Sequence, residues 1–177
     1  YFVSTTSASM SASVGTTTID VVEGTLVTSE QIINAVVANN NTSNGLPNQR
    51  FVLRNINVVP SSVAVYVYEG PVVSGQPTSV DYVYVSRLSD YNSSERVFTV
   101  EVASDGVVQV LFGNGTNGKI PATNASITAD YLTSSGSSGN IAQNRITAFT
   151  NNTPTGVIIN GSSAATGGYD AESINSI

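Results

Sequence analysis

The strongest constraint on the fold is a period of two. Val63, Val65 and Val67 alternate with Ala64, Tyr66 and Tyr68, and the stretch Val80 to Val85 repeats the valine/tyrosine alternation. Successive side chains of a strand point to opposite faces, whereas a helix brings every third or fourth residue together. These two stretches are therefore read as strands, and laid side by side their tyrosines are expected to neighbour one another. The same period recurs at Arg50–Val59 (Phe51, Leu53 and Ile56 inward), Arg96–Val102 (Phe98, Val100 and Val102 on one face), Val107–Phe112, and Ala125–Tyr131 (Ile127, Ala129 and Tyr131 on one face). Weaker strands are expected at 16–22, 25–27 and 157–159, and 140–149 reads as a short extended piece burying Ile141 and Ile146. Clusters of Gly, Pro, Asn and Ser separate them, such as Glu69–Thr78 and the flexible turn Ser134–Gly139, and Asp105-Gly106 is a hairpin turn.

Many short strands between turn clusters predict a mainly β fold, a sandwich or barrel-like arrangement of antiparallel sheets with at most one or two short helices. The helix candidate is 28–39, where Ile32, Ile33, Val36 and Val37 fall at helical spacing behind Thr28 or Ser29; the β-branched content leaves a strand open. The organisation expected is an N-terminal β segment over 1–48, a main β domain over 49–166, and the start of a following, helix-like element over 167–177. With 177 residues, the chain is long enough to bury roughly two-thirds of its unfolded surface.

Composition excludes several chemistries. The chain has no cysteine, so disulfide and thiolate chemistry are absent, and no histidine, so the commonest general base and transition-metal ligand are absent too. Its net charge of −6 and scattered cations argue against nucleic acid and anionic membrane as partners. There is no apolar run long enough for a transmembrane helix, and Tyr1–Thr6 lacks the features of a signal peptide. Only 10% of residues are charged. Such an uncharged polar surface is cheap to dehydrate against partners, and it also suits an ordinary extracellular or virion-type β protein.

Gly113-Asn114-Gly115-Thr116-Asn117-Gly118 fits G-x-G-x-x-G, and extended to Lys119 it nearly fits a phosphate loop. A phosphate loop must open a helix, because the anion sits on that helix's free N–H groups. Here Pro121 holds Ile120 out of helical geometry, an extended strand follows, and Ile120 replaces the magnesium-binding hydroxyl. The stretch is therefore read as a structural turn built on Gly113, Asn114, Gly115, Gly118 and Pro121, with Asn114 and Asn117 in left-handed conformations.

Other candidates are weaker. Asn40, Thr42 and Asn44-Gly45 echo a calcium loop, but Phe51 stands where its closing glutamate belongs. Glu69, Asp81, Asp90, Glu95, Glu101, Asp105 and Asp130 include enough acids for a glycosidase pair, yet turn and solvent-face roles explain them. Serine is plentiful, but its only lysine partner, Lys119, sits on an exposed turn. Tyr66, Tyr68, Tyr82 and Tyr84 form a candidate interface whose cover is a sheet of the same chain, a partner protein or a glycan.

Between residues 96 and 141 these pieces form an ordered set. Arg96-Val97-Phe98-Thr99-Val100 precedes Val110-Leu111-Phe112-Gly113-Asn114-Gly115; Gly118-Lys119-Ile120-Pro121, Ile127-Thr128-Ala129-Asp130-Tyr131 and Gly136-Ser137-Ser138-Gly139-Asn140-Ile141 follow. Gln49-Arg50-Phe51-Val52-Leu53 and Gly168-Tyr169-Asp170-Ala171-Glu172-Ser173-Ile174 flank it. This set resembles the "FGDG…G-R/K-x-P…Y…G…GN" signature of the baseplate wedge, or baseplate-J-like, proteins of contractile-tailed bacteriophages, over about residues 49–177. Asn114 stands where that family usually has Asp.

The resemblance implies a structural protein of the virion's tail baseplate, assembled in the bacterial host cytoplasm and joined into the ring around the tail hub. The implied partners are other baseplate wedge proteins and copies of the chain itself, with no nucleic acid, membrane or small-molecule substrate. It implies no enzyme activity and no catalytic, cofactor or metal residues. Family chains are longer on both sides, which makes this sequence a middle piece. The alternative is a carbohydrate-binding or adhesin-type β module, suggested by the tyrosine strands and the Asn/Ser/Thr-rich surface.

Overall fold

A computed structural model of the protein describes residues 2–4, 21–37, 40–103, 106–145, 164 and 166–168. The chain divides into two compact units, Leu26–Thr133 and Tyr1–Thr25 with Ser134–Ile177. Residues 26–48, placed by sequence in a separate segment, thus belong to the same unit as the Gly113–Pro121 turn.

In the smaller unit, β1 (Phe2–Ser4) pairs antiparallel with β2 (Val21–Glu23), matching Val3 to Val22. A 3-10 turn spans Gly136–Gly139, and the Asn140 side-chain amide pairs with Gly168 through two hydrogen bonds of 2.9 Å. The expected strand at 157–159, Ile146 and the helix start after Gly168 lie outside the described residues.

The larger unit holds β3 (Thr25–Gln31), β4 (Ile33–Asn34), β5 (Arg50–Val52), β6 (Ala64–Val67), β7 (Val72–Val73), β8 (Gln76–Pro77), β9 (Val80–Tyr84), β10 (Val97–Val102), β11 (Val108–Phe112) and β12 (Ile127–Thr133). Eight of these form one sheet in the order β3-β12-β6-β9-β10-β11-β5-β4, while β7 and β8 form a separate hairpin. The fold is therefore mainly β, and the eight-stranded sheet is a nearly closed barrel. Among the described residues, helix is confined to 3-10 turns at Pro60–Ser62, Leu88–Asp90 and Gly136–Gly139.

The sheet closes because its first and last strands are one stretch of chain. β3 and β4 are separated only by Ile32, which is fully buried. One side of the stretch meets β12, and the other pairs with β5 through Ile33–Val52 and Asn34–Phe51. The helix considered over 28–39 is thus corrected to a strand up to Asn34. Ile32 and Asn34 point inward and Ile33 outward, a period of two, while Val36 is 90% exposed. Glu30 fastens the seam with side-chain bonds. Its carboxylate accepts the Arg54 N–H at 2.7 Å and the Tyr131 hydroxyl, which in turn accepts from Asn55 Nδ2 at 2.7 Å.

Alternation elsewhere follows the sequence closely. Val63, Val65 and Val67 point inward from the β6 segment, and Ile127, Ala129 and Tyr131 from β12. In contrast, Ile56 and Val102, expected inward, are more than 60% exposed. Val102 lies at the far end of the β10–β11 hairpin, opposite Val108. Most strand pairs are antiparallel; β9 and β10 run parallel, with Val97 opposite Val83, so residues 85–96 form a crossover. Within the core the Phe112 ring stands nearly perpendicular to two others, Phe51 at 5.7 Å and Tyr82 at 5.3 Å between centroids.

Replacing Ile32 with Ala is expected to cost about 2–4 kcal/mol, because it opens a cavity where the barrel closes. Val36→Ala, on the exposed turn beyond, is expected to change stability by less than about 0.5 kcal/mol. Chemical denaturation of both variants checks the contrast.

Candidate functional site

The Gly113–Pro121 turn begins where β11 leaves the core at Phe112. Gly113 is buried, and a Cβ added to it would fall on the Gly118 carbonyl and lie 2.6 Å from the Asn117 oxygen. Only glycine permits that approach. Gly115 and Gly118 take φ of 83° and 76°, whereas Asn114 and Asn117 do not adopt positive φ. The expected left-handed asparagines are therefore corrected: the glycines take that geometry at no steric cost, and Asn114 serves as an acceptor. Its Oδ1 receives the N–H groups of Thr116 and Asn117, both at 2.8 Å.

The N–H groups of Asn114, Gly115, Gly118 and Lys119 also have partners. Asn114 donates to the Asn117 carbonyl, Gly115 to that of Gly118, Gly118 to that of Asn92, and Lys119 to that of Glu95. A phosphate loop works by offering such donors to an anion. Here every N–H from 114 to 119 is directed into the protein itself, so the turn is built as a corner. Pro121 is buried, and its carbonyl accepts the Ser43 hydroxyl at 2.9 Å. Ser43 in turn accepts from Gln49 Nε2 at 2.9 Å, and the Gln49 carbonyl accepts the Phe112 N–H, so loop 43–49 locks to both ends of the corner.

The strongest electrostatic feature lies beside this corner. The Glu69 side chain, at the end of β6, is 2% exposed. Its Oε1 accepts from Lys119 Nζ, from the Tyr82 hydroxyl at 3.2 Å and from Arg96 Nε at 3.4 Å; its Oε2 accepts the Ala122 N–H at 2.7 Å. Burial by itself pushes the Glu69 carboxyl up. The hydrogen bonds from Lys119 and Ala122, the Lys119 charge and the Tyr82 hydroxyl outweigh it and hold the group below the usual carboxylate range. Burial and the adjacent Glu69 charge raise Tyr82 well above an ordinary tyrosine. Lys119, placed by sequence on an exposed turn, is 33% exposed and engaged by this carboxylate.

Four of the other acids are likewise held by their own chain, while Asp81 on β9 is exposed. Glu101 pairs with Arg50 at 3.0 Å, Glu95 accepts the Asn92 N–H, and Asp130 accepts the Ser29 N–H and the Tyr66 hydroxyl. Asp90 accepts the Ser89 hydroxyl, and Asp105 lies outside the described residues. Asn40 and Asn44 each turn a side-chain oxygen to an N–H two residues on, and no metal-binding group of three or more acids occurs among the described residues.

The four tyrosines do not lie side by side. The β6–β9 register sets Tyr66 opposite Asp81 and Tyr82 opposite Val65, so Tyr82 points into the core and Val83 is 60% exposed. Tyr84 packs on Phe98 at 5.9 Å, Tyr66 is half-buried, and Tyr68 lies at the surface. A shallow depression of about 340 Å³ opens over the β9–β10 junction, lined by Asp81, Val83, Tyr91, Ser94, Glu95, Arg96 and Val97. Sequence reasoning singled out Gly113, Gly115, Gly118 and Pro121 of this corner, but not the roles of Ser43, Gln49 or Glu69. Comparison with family models, curated proteins and solved structures found no match.

Gly113→Ala is expected to destabilise by at least about 2 kcal/mol, since the methyl group meets backbone. Gly106→Ala, at φ 83° in open space, is expected to cost only about 1 kcal/mol. Urea titrations of the two proteins separate close approach from backbone strain.

Glu69 also predicts a pH dependence. A carboxyl held low in the folded state contributes stability that is complete above its unfolded value of 4.5 and is lost as the pH falls through its lowered folded value. The melting temperature of the unaltered protein is expected to fall below pH 4.5 more steeply than that of Glu69→Gln. Parallel acid profiles would contradict this assignment.

Proposed function

We propose that this chain is a structural β domain of a contractile-tail baseplate wedge, working through contacts with neighbouring wedge proteins and with copies of itself in the virion. The observation that carries the reading is the corner at Gly113–Pro121. Its residues resemble the family's most recognisable motif, and its N–H groups from 114 to 119 are all bonded within the chain, which suits a shape-determining element and not a ligand cradle. The sealed Glu69 carboxylate and the internally paired acids support a scaffold role in the same way. Low charge favours docking, because fewer ions must be dehydrated at an interface. The β7–β8 hairpin presents Val72 and Val73, 70% and 59% exposed, as apolar contact points.

The depression over β9–β10 favours a second reading, a carbohydrate-binding module. Tyr91 offers a ring face, and Asp81, Glu95 and Arg96 offer polar groups to sugar hydroxyls. Cryo-electron microscopy of intact tails is expected to place this barrel in the baseplate ring. Its absence from that ring, together with glycan binding abolished by Tyr91→Ala, would replace the first reading with the second.

A further inference from the structure

The stretch that closes the barrel is attached unlike the rest of the sheet. No residue of β3 is buried. Leu26 is 51% exposed, and within the stretch full burial is confined to Ile32, with Asn34 at 5%. Elsewhere β3 packs one half-buried residue, Val27, against the core, pairs with β12, and is held by polar side-chain bonds across the seam: the Ser29 N–H to Asp130 at 2.6 Å, and Glu30 to Arg54 and Tyr131. Ser29 has φ 53°, a left-handed conformation that costs a serine energy inside a strand. Beyond β4 the chain reverses in a turn held by Asn34, whose Oδ1 accepts the N–H groups of Val36 and Val37 and whose own N–H donates to Asn40. Val36 and Val37 stand on this turn 90% and 45% exposed.

We propose that residues 26–34 are an exchangeable strand, by which two copies of this chain join, each seating the stretch in the other's barrel between β12 and β5. The occupant follows from the socket. The gap between β12 and β5 accepts an isoleucine in the core, a glutamate bridging Arg54 N and the Tyr131 hydroxyl, and an asparagine beside Phe51. The sequence that meets those demands is the chain's own 26–34, and an identical copy makes the same bonds. Exchange of an identical element is a low-cost route to association for this reason. Release is eased because β3 contributes no fully buried residue, with Val27 only partly buried, and because opening relaxes Ser29. Opening the Asn34 turn brings two hinge segments alongside each other, where Val36 and Val37 of both copies gain cover from water. This link does not depend on the baseplate reading.

The absence of cysteine from the sequence makes the test clean. Two full-length variants, Ser29→Cys and Asp130→Cys, are mixed at micromolar concentration, equilibrated and oxidised. Seating places the two thiols at millimolar effective concentration, so the mixed disulfide dimer is expected at about tenfold or more above a Val72→Cys plus Val102→Cys control. A yield equal to the control overturns the proposal. Unsubstituted protein provides the second measurement. In a 1:1 mixture of 13C- and 15N-labelled chains, intermolecular contacts from residues 26–34 to β5 or β12 are expected, and contacts found only within single chains overturn it.

Discussion

The larger unit depends on one geometric constraint: a single stretch must serve as both edges of its sheet. An open sheet leaves unpaired N–H and carbonyl groups along two edges. Here β3 covers one edge and β4 the other, and the change of partner occurs at Ile32. Because that residue is sealed in the core, closure is fastened by apolar burial at one point and by Glu30 beside it. The remaining strands curve as they do because they must meet this stretch from both sides.

Closure also explains where the tightest corner lies. β11 lies in the sheet between β10 and β5 and ends at Phe112, whose ring packs at right angles to Phe51 and Tyr82 in the core. The chain must then leave without exposing backbone donors. It does so through a glycine contact too close for any Cβ, with Asn114 receiving two N–H groups and Lys119 delivered to Glu69. Strand, corner and buried carboxylate form one continuous structure. The N–H groups from 114 to 119 are all bonded within the chain, and these bonds fix the shape of the corner. The surfaces that remain open adjoin this structure: the β9–β10 depression shares Glu95 and Arg96 with the bonds around Lys119 and Glu69, and the β7–β8 hairpin follows Glu69 directly.

Strands whose two faces differ in chemistry were legible. Ile127, Ala129 and Tyr131 against Ser126 and Asp130 leave one choice of inward face. Strands whose faces are both apolar were not. In Val80–Tyr84 either valine or tyrosine can face inward, and the pairing of Val65 with Tyr82 settles it. Ile32-Ile33 and Val36-Val37 fit helical spacing equally well, and the stretch becomes a strand because β12 and β5 flank it. Gly113, Gly115, Gly118 and Pro121 could be recognised as a turn, yet which of them needs glycine for φ and which for space required the backbone that approaches Gly113.

The amino-acid sequence by itself determined the mainly β class, most strand positions, the hairpin at Gly106 and the exclusion of histidine and cysteine chemistry. These depend on residue type and on neighbours one or two positions apart. Only the tertiary structure decided the closure at Ile32, the inward turn of Tyr82 and the convergence of Lys119, Arg96 and Tyr82 on Glu69. Lys119 lies fifty positions from Glu69 along the chain. Contacts of that kind leave no periodic trace in sequence, because they exist only once distant strands have found their register.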